Sequence, residues 1–180
     1  MKVYMLLARN NFRTDIVRPG VKASIEGQTL KNEIVFIYDE EKNSTDKYYN
    51  IARGHDIGKK LTMESSDEFM VFQDSDIKHL YTNNFELMQK FLREHENFGG
   101  VALGDTMGKL SGLLEYDPKI DNHICQTCCM LRKNALKNVD FSIIGPYGVC
   151  SSQCVSLSKV GWRYGYLSKE LRLENVGDNK

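Results

Sequence analysis

The chain has 180 residues, 41% of them hydrophobic, which is enough to bury one sizeable core but not a second folding unit. Its 24 basic and 24 acidic residues cancel, which argues against a partner held mainly by charge, and nucleic acid is not expected. No apolar run approaches the roughly 20 residues of a membrane span, and Met1 to Leu7 is too short for a signal segment, so the expected location is the cytoplasm or the periphery of a membrane.

In chain order, Val3 to Leu7 is a continuous apolar run that ends at Ala8-Arg9-Asn10-Asn11, the pattern of a strand buried on both faces and leading into a loop. Pro19 suits the first turn of a helix with Val21 and Ile25 on one face. A second buried strand, Ile34 to Tyr38, ends at Asp39-Glu40-Glu41. Asn43 or Ser44 can then cap a helix whose apolar face includes Tyr48, Ile51 and Ala52. A third strand, Phe69 to Phe72, ends at Asp74-Ser75-Asp76, and Phe85, Met88 and Leu92 mark an amphipathic helix. The second half is less regular, with strands expected at Gly100 to Leu103, Ile124 to Leu131 and Trp162 to Leu167, and a helix at Val149 to Val160.

Strands alternating with helices predict an α/β fold with a mostly parallel sheet covered on both faces. In such sheets ligands bind beyond the carboxyl ends of the strands, so Asn10, Asp39, Asp74 and Asp76 should face one crevice. Two carboxylates at the end of a buried strand are hard oxygen ligands suited to magnesium or manganese, which complete their shells with water and substrate phosphates. The competing reading of Asp74-Ser75-Asp76 is a solvated acidic turn.

Nearly the whole chain, Lys2 to Gly177, resembles a compact family-two glycosyltransferase of the GT-A type. Val3 to Asn10 is similar to that family's first strand and its asparagine, and Ala23-Ser24-Ile25 with Gln28-Thr29 to the helix and glutamine that follow. Glu33 to Asp39 is similar to the strand ending in a base-binding aspartate, and Asn43-Ser44-Thr45-Asp46 to the serine-threonine-aspartate turn. Ala52-Arg53-Gly54 with Gly58 resembles the donor-side helix, and Asp67 to Asp76 the strand that carries a D-x-D motif. Cys129-Met130-Leu131-Arg132 through Leu136 resembles the acceptor-side strand and helix entry, and Gly161-Trp162-Arg163 with Tyr166 the late glycine-aromatic turn.

The resemblance implies a single GT-A domain: a Rossmann-like, mostly parallel sheet flanked by helices, mixed in its C-terminal half. Residues 1–80 would form the nucleotide half and 81–180 the acceptor half. It implies a UDP- or GDP-sugar donor, a manganese or magnesium ion, and a glycan, protein or lipid-linked acceptor. Asp39 would bind the base, Asp74 the ribose or a metal-bound water, and Asp76 the metal. Ala8, Asn10 and Ser75 would line the donor site. Arg53 and Lys59 would reach the diphosphate, with Gly54 and Gly58 permitting close approach.

Two parts of the family pattern are missing. Where inverting members place an acidic base at the start of a helix, this chain has Val149-Cys150-Ser151-Ser152. The reaction is then expected to be slow, retaining, or served by a carboxylate of the Gly104 to Asp121 stretch assigned to acceptor recognition, where Glu115 and Asp117 are the base candidates, their alternative reading being ordinary solvated residues. The C-terminal metal-binding histidine is replaced by Asn175, with Glu174 adjacent.

Cys125-x-x-Cys128 and Cys150-x-x-x-Cys154 offer four thiols at zinc-like spacing. A disulfide and plain core packing are the alternatives, and packing is the expectation. The histidines His55, His79, His95 and His123 sit apart in sequence and predict no cluster. Enzymatic sugar transfer is therefore expected. The alternatives are a nucleotide-sugar binding protein that has lost catalysis and a nucleotidyltransferase, which the lack of a glycine-rich loop after the first strand disfavours.

Overall fold

The computed structural model describes residues 1–7, 20–38, 47–104, 115–117, 127–142, 149–167 and 171–176. Their order is β1 (Lys2–Leu7), α1 (Val21–Glu26), β2 (Glu33–Tyr38), α2 (Lys47–Glu64), β3 (Phe69–Gln73), β4 (Ile77–His79), α3 (Asn84–Glu94), β5 (Phe98–Ala102), β6 (Cys128–Arg132), α4 (Lys133–Leu136), α5 (Val149–Lys159), β7 (Arg163–Tyr166) and β8 (Leu173–Asn175). Pro19, Asn43 and Ser44, read as helix-start residues, lie outside the described residues.

Six strands form one sheet in the order β2-β1-β3-β6-β5-β7, and β4 pairs with β8 in a second, two-stranded sheet. β1 runs parallel to β2 and β3, and β5 parallel to β7, whereas β6 is antiparallel to both β3 and β5. The sheet is therefore mostly parallel with one reversed strand in its C-terminal half, as expected. The chain steps from β1 outward to β2 and returns to β3 on the other side of β1. That places a topological switch point at the carboxyl ends of β1 and β3, where open α/β sheets hold ligands.

Alternation along each strand divides the core into two layers. On one face Tyr4, Met70, Phe72, Cys129 and Leu131 pack with Ala52 of α2 and with Cys154 and Leu157 of α5. On the other, Val3, Met5, Phe69, Val71, Cys128 and Met130 pack with Val21 and Ile25 of α1 and with Phe85, Met88 and Leu92 of α3. The helical spacing of Phe85, Met88 and Leu92 thus buries one stripe of α3, each side chain contributing about 1.5–3 kcal/mol.

Two glycines show why a side chain would not serve. Gly161 has φ of +84° and closes α5, with its N–H bonded to the Ser158 carbonyl at 3.1 Å and the Trp162 N–H to the Leu157 carbonyl at 3.0 Å. This is the left-handed helix end that glycine favours. Gly58 lies on the buried side of α2, where a Cβ would come within 2.7 Å of the Phe72 ring. It permits close approach of α2 to β3, which corrects the expectation that it makes room for a diphosphate.

The other corrections are local. The strand expected over Gly100 to Leu103 runs Phe98–Ala102, and the one expected from Ile124 begins at Cys128, with 118–126 outside the described residues. β4 and β8 were not anticipated. Among the described residues no helix is long and apolar enough to cross a membrane.

Candidate functional site

The apolar run of β3 ends at the buried Gln73, and the chain then turns through Asp74-Ser75-Asp76 into β4. Asp74 is exposed, and Ser75 and Asp76 are half-buried. Four hydrogen bonds set this turn. The Asp74 N–H donates to the Thr127 carbonyl at 2.9 Å, the Ile77 N–H to the Asp74 carbonyl at 3.3 Å, and the Val176 N–H to the Asp76 carbonyl at 2.8 Å. The Gln73 side-chain amide donates to the Ile77 carbonyl at 2.6 Å.

β8 returns from the far end of the chain to lie against β4, pairing Asn175 with Ile77, Glu174 with Lys78 and Leu173 with His79. Asn175 thus lies across from the buried Ile77, and the residue bonded to the Asp76 carbonyl is Val176. Glu174, weighed as the alternative ligand, instead forms an ion pair with Lys78 at 3.6 Å. Neighbouring residues of a strand point to opposite faces, so Glu174 and Asn175 do not share one.

The remaining candidates divide. Ala8, Asn10 and Asp39 lie outside the described residues. Arg53 is half-buried about 9 Å along α2 from its first residue, and Lys59 about 18 Å along it. As α2 leads from the carboxyl end of β2 to the amino end of β3, Lys59 sits near the wrong edge of the sheet. Its ammonium donates to the Val139 carbonyl at 2.6 Å and the Lys137 carbonyl at 3.3 Å. Lys59 is thus removed from the donor site: it ties α2 to the segment after α4. Beside it, burial pushes the Asp56 carboxyl up, while hydrogen bonds from the Ser142 hydroxyl and N–H hold the Asp140 carboxyl low.

The substitute bases fare no better. Glu115 bridges to Gly165 in an antiparallel sense, and its carboxylate accepts two hydrogen bonds from the Arg163 guanidinium, at 2.6 and 2.5 Å. Arg163 also lies over the Phe98 ring, 4.4 Å from its centroid. A carboxylate gripped in this way has both oxygens committed to the guanidinium rather than to an acceptor hydroxyl. Asp117, two residues further along the antiparallel segment, lies toward the amino end of β7 and away from the acidic turn. At the start of α5, Ser152 is buried and donates to the Phe141 carbonyl at 3.4 Å, so it is not a base either.

Cys128 packs in the α1/α3 layer, whereas Cys129 and Cys154 pack in the opposite layer. One tetrahedral zinc cannot therefore take both Cys128 and Cys154. All three are buried free thiols, and burial pushes the Cys129 thiol up to about 12. Cys125 and the Cys150 side chain lie outside the described residues, as does His123.

His79 is the residue that sequence reasoning missed. Its ring bonds Gln73 at 2.7 Å and Asn84 at 2.9 Å, and burial pushes its pKa down to about 3. Gln28 is a second structural link: its side chain donates to the Ser24 and Tyr81 carbonyls and accepts from the Phe85 N–H, joining α1 to the start of α3. Neither had a local pattern to mark it: Gln28 stands between Gly27 and Thr29, and His79 between Lys78 and Leu80.

A recess of about 520 Å³ lies at the opposite edge, lined by Met63, Asp67, Glu68, Arg132, Lys133 and Lys137 among others. Its mixed charges and its place at the amino end of β3 set it apart from the acidic turn.

No protein-family model matches the chain, and no curated protein sequence does. Its fold, however, is that of the GT-A glycosyltransferases: a mixed α/β unit with a mostly parallel central sheet flanked by helices. Residues 1–349 of S. aureus TarS superpose with a TM-score of 0.60 at 15% identity, over 98% of this chain and 60% of that one. A glycosyltransferase involved in glycosylation of the major capsid of PBCV-1 gives 0.59 at 14% identity, over 100% and 95%. Drosophila β1,4-galactosyltransferase 7, as a mutant complexed with manganese, UDP-Gal and xylobiose, gives 0.58 at 12% identity, over 98% and 71%. This chain thus spans about three-fifths of the TarS fragment.

Proposed function

We propose that the protein is a metal-dependent glycosyltransferase that takes a sugar from a nucleoside-diphosphate donor. The observation that carries this reading is the acidic turn Asp74-Ser75-Asp76 at the carboxyl end of the central strand β3. The similar structures support it, since TarS is known in complex with UDP-GlcNAc and with UDP, and the galactosyltransferase with manganese and UDP-Gal.

The donor set fits a hard cation: two carboxylates reachable from solvent, both oxygen ligands. Asp76 would hold the ion directly, with Asn175 a further oxygen, and Asp74 would take the ribose or a bound water. Asp39 would accept hydrogen bonds from the base, while Ala8, Asn10 and Ser75 line the donor and Arg53 faces the diphosphate. When bound, manganese or magnesium supplies Lewis-acid stabilisation of the charge that grows on the departing diphosphate. The chain's own part is to hold that diphosphate at the crevice and keep the turn in place. The acceptor, whether glycan, protein or lipid-linked, would meet residues of the Gly104 to Asp121 segment. We read residues 1–180 as one domain, with 1–80 the nucleotide half. The buried free thiols support a reducing, cytoplasmic setting.

A second reading has its own support. With Glu115 held by Arg163 and Ser152 bonded to a carbonyl, no base is evident among the described residues near the turn. Donor binding with slow or absent transfer accords with that, because a positioned base typically contributes about 10²–10⁴-fold.

A thermal-shift panel of UDP, GDP and their sugars, with and without manganese, tests the main reading. A ligand at 100 times its Kd stabilises by about 2.7 kcal/mol, so one nucleoside diphosphate should raise the melting temperature only when manganese is present. No shift with any of them contradicts it. Sugar release from the donor that binds then separates transferase from binding protein.

A further inference from the structure

The polar side chains behind the acidic turn form one directed chain. Gln73 spends its amide N–H on the Ile77 carbonyl at 2.6 Å, which leaves its Oε1 to accept. His79 must therefore donate to it from Nε2, at 2.7 Å, and its Nδ1 is left to accept from the Asn84 amide at 2.9 Å. The Asn84 Oδ1 in turn accepts from Arg172 Nη1 at 2.8 Å, and the second Asn84 N–H reaches the Arg172 carbonyl at 3.2 Å. At the far end Arg172 also donates to Asn83 Oδ1 at 3.1 Å and lies over the Tyr81 ring, 4.6 Å from its centroid. The Gln73 bond to Ile77 fixes which of its atoms faces His79, and the tautomer of His79 and the orientation of the Asn84 amide follow in turn.

Gln73, His79 and Asn84 are all buried, within the layer that holds Val71, Ile77, Phe85 and Leu173. An apolar trio could fill that space. What it could not do is tie Gln73 to Ile77, the two residues that flank Asp74-Ser75-Asp76, and tie both through Asn84 to the segment that enters β8. The Gln73 bond closes the turn from inside the core, and Arg172 anchors the strand that carries Asn175. His79 stays uncharged at ordinary pH, so the direction of the chain does not change there.

We propose that Gln73, His79, Asn84 and Arg172 are positioning residues that hold the Asp74 and Asp76 carboxylates at the spacing required for a diphosphate-bound cation. The inference rests on the functional reading above. Partners behind a ligand commonly matter about 10–100-fold to metal affinity, because they fix where the ligand points.

The test is calorimetric titration of the full chain with UDP and GDP, with and without manganese, in parallel with thermal melting; the changes expected for UDP hold equally for GDP if that is the nucleotide bound. His79→Phe keeps a ring and loses both hydrogen bonds, and His79→Gln restores a donor toward Gln73. Met88→Ala, a cavity in the same layer one helical turn from Asn84 that removes none of these hydrogen bonds, controls for stability alone. His79→Phe should weaken manganese-dependent UDP binding by about tenfold or more while leaving metal-free binding unchanged, and His79→Gln should recover part of it. Met88→Ala should melt earlier yet bind as wild type. If His79→Phe does not fold, Arg172→Met at the half-exposed end provides the same reading, with a weaker loss of manganese-dependent affinity expected. Wild-type affinity in the folded variants overturns the proposal, as does a loss that Met88→Ala matches. A wild-type protein that binds no UDP or GDP with manganese overturns the functional reading itself, and the inference with it.

Discussion

Replacing Gly100 by alanine adds one methyl group to the middle of β5, and the structure sets its cost. The new Cβ would overlap Leu131 Cδ2 and stand 2.9 Å from the Met130 carbonyl oxygen and 3.1 Å from a Tyr164 ring carbon. Leu131 can turn aside, but the Met130 oxygen belongs to the backbone of the adjacent strand β6. β5 and β6 must therefore separate locally, which places the substitution near the top of the usual overpacking range, about 3 kcal/mol. Alanine returns about 0.5–1 kcal/mol by lowering the entropy of the unfolded chain. The net expectation is a loss of about 2 kcal/mol, or a melting temperature lower by roughly 4–8 °C for a chain of this size. Calorimetric melts of Gly100→Ala, Leu131→Ala and the double variant provide the assay. The double variant should be less destabilised than the sum, by about 0.5 kcal/mol or more, because the side-chain overlap is relieved while the carbonyl contact remains. A Gly100→Ala protein melting at or above the wild-type temperature would refute the packing account.

Burial keeps His79 neutral, with a pKa near 3 against an ordinary 6.5, so between those values the unfolded chain binds more protons than the folded one. Its contribution is thus fully present above pH 6.5 and falls by up to about 1.4 kcal/mol for each pH unit below; urea melts at pH 7, 6 and 5 should show a shallower slope for His79→Gln. Glu115→Gln should leave UDP affinity unchanged and cost at most about 1 kcal/mol of stability, since its pair with Arg163 is exposed; a loss of transfer without loss of donor binding would restore it as a base. Lys59→Met should likewise bind UDP as wild type in calorimetry, because its ammonium serves the Lys137 and Val139 carbonyls, and a clear loss of affinity would return it to the donor site.

What could be read from the sequence was what is local. Val3 to Leu7, Ile34 to Tyr38 and Phe69 to Phe72 are apolar enough on both faces to mark central strands, and the spacing of Phe85, Met88 and Leu92 marks the buried stripe of α3. The acidic turn was visible for the same reason, as a sharp change from apolar to charged residues at the end of one strand. β4 and β8 were not, because three-residue strands such as Ile77–His79 and Leu173–Asn175 have no periodicity to detect and exist through pairing across nearly a hundred residues. That same long-range pairing sets Asn175 across from Ile77 and Glu174 across from Lys78, a register that sequence position alone does not give. The Glu115 and Arg163 pair, 48 residues apart, could not be foreseen from composition, and without it Glu115 looked like a loop carboxylate able to act as a base. His79 was passed over because a lone histidine carries no pattern; its meaning depends on Gln73 and Asn84 pointing into the same buried space.

The central claim is that the Asp74 to Asp76 turn holds a divalent cation for a nucleoside-diphosphate donor. Its most direct test is titration of UDP and GDP into wild type and Asp76→Ala by calorimetry, with manganese and with chelator, on protein shown to be folded by circular dichroism. The account predicts that wild type binds one of the two nucleotides more tightly with manganese and that Asp76→Ala loses the metal-dependent part of the affinity, while Asp74→Ala loses less. Equal, metal-independent affinity in wild type and Asp76→Ala would contradict it.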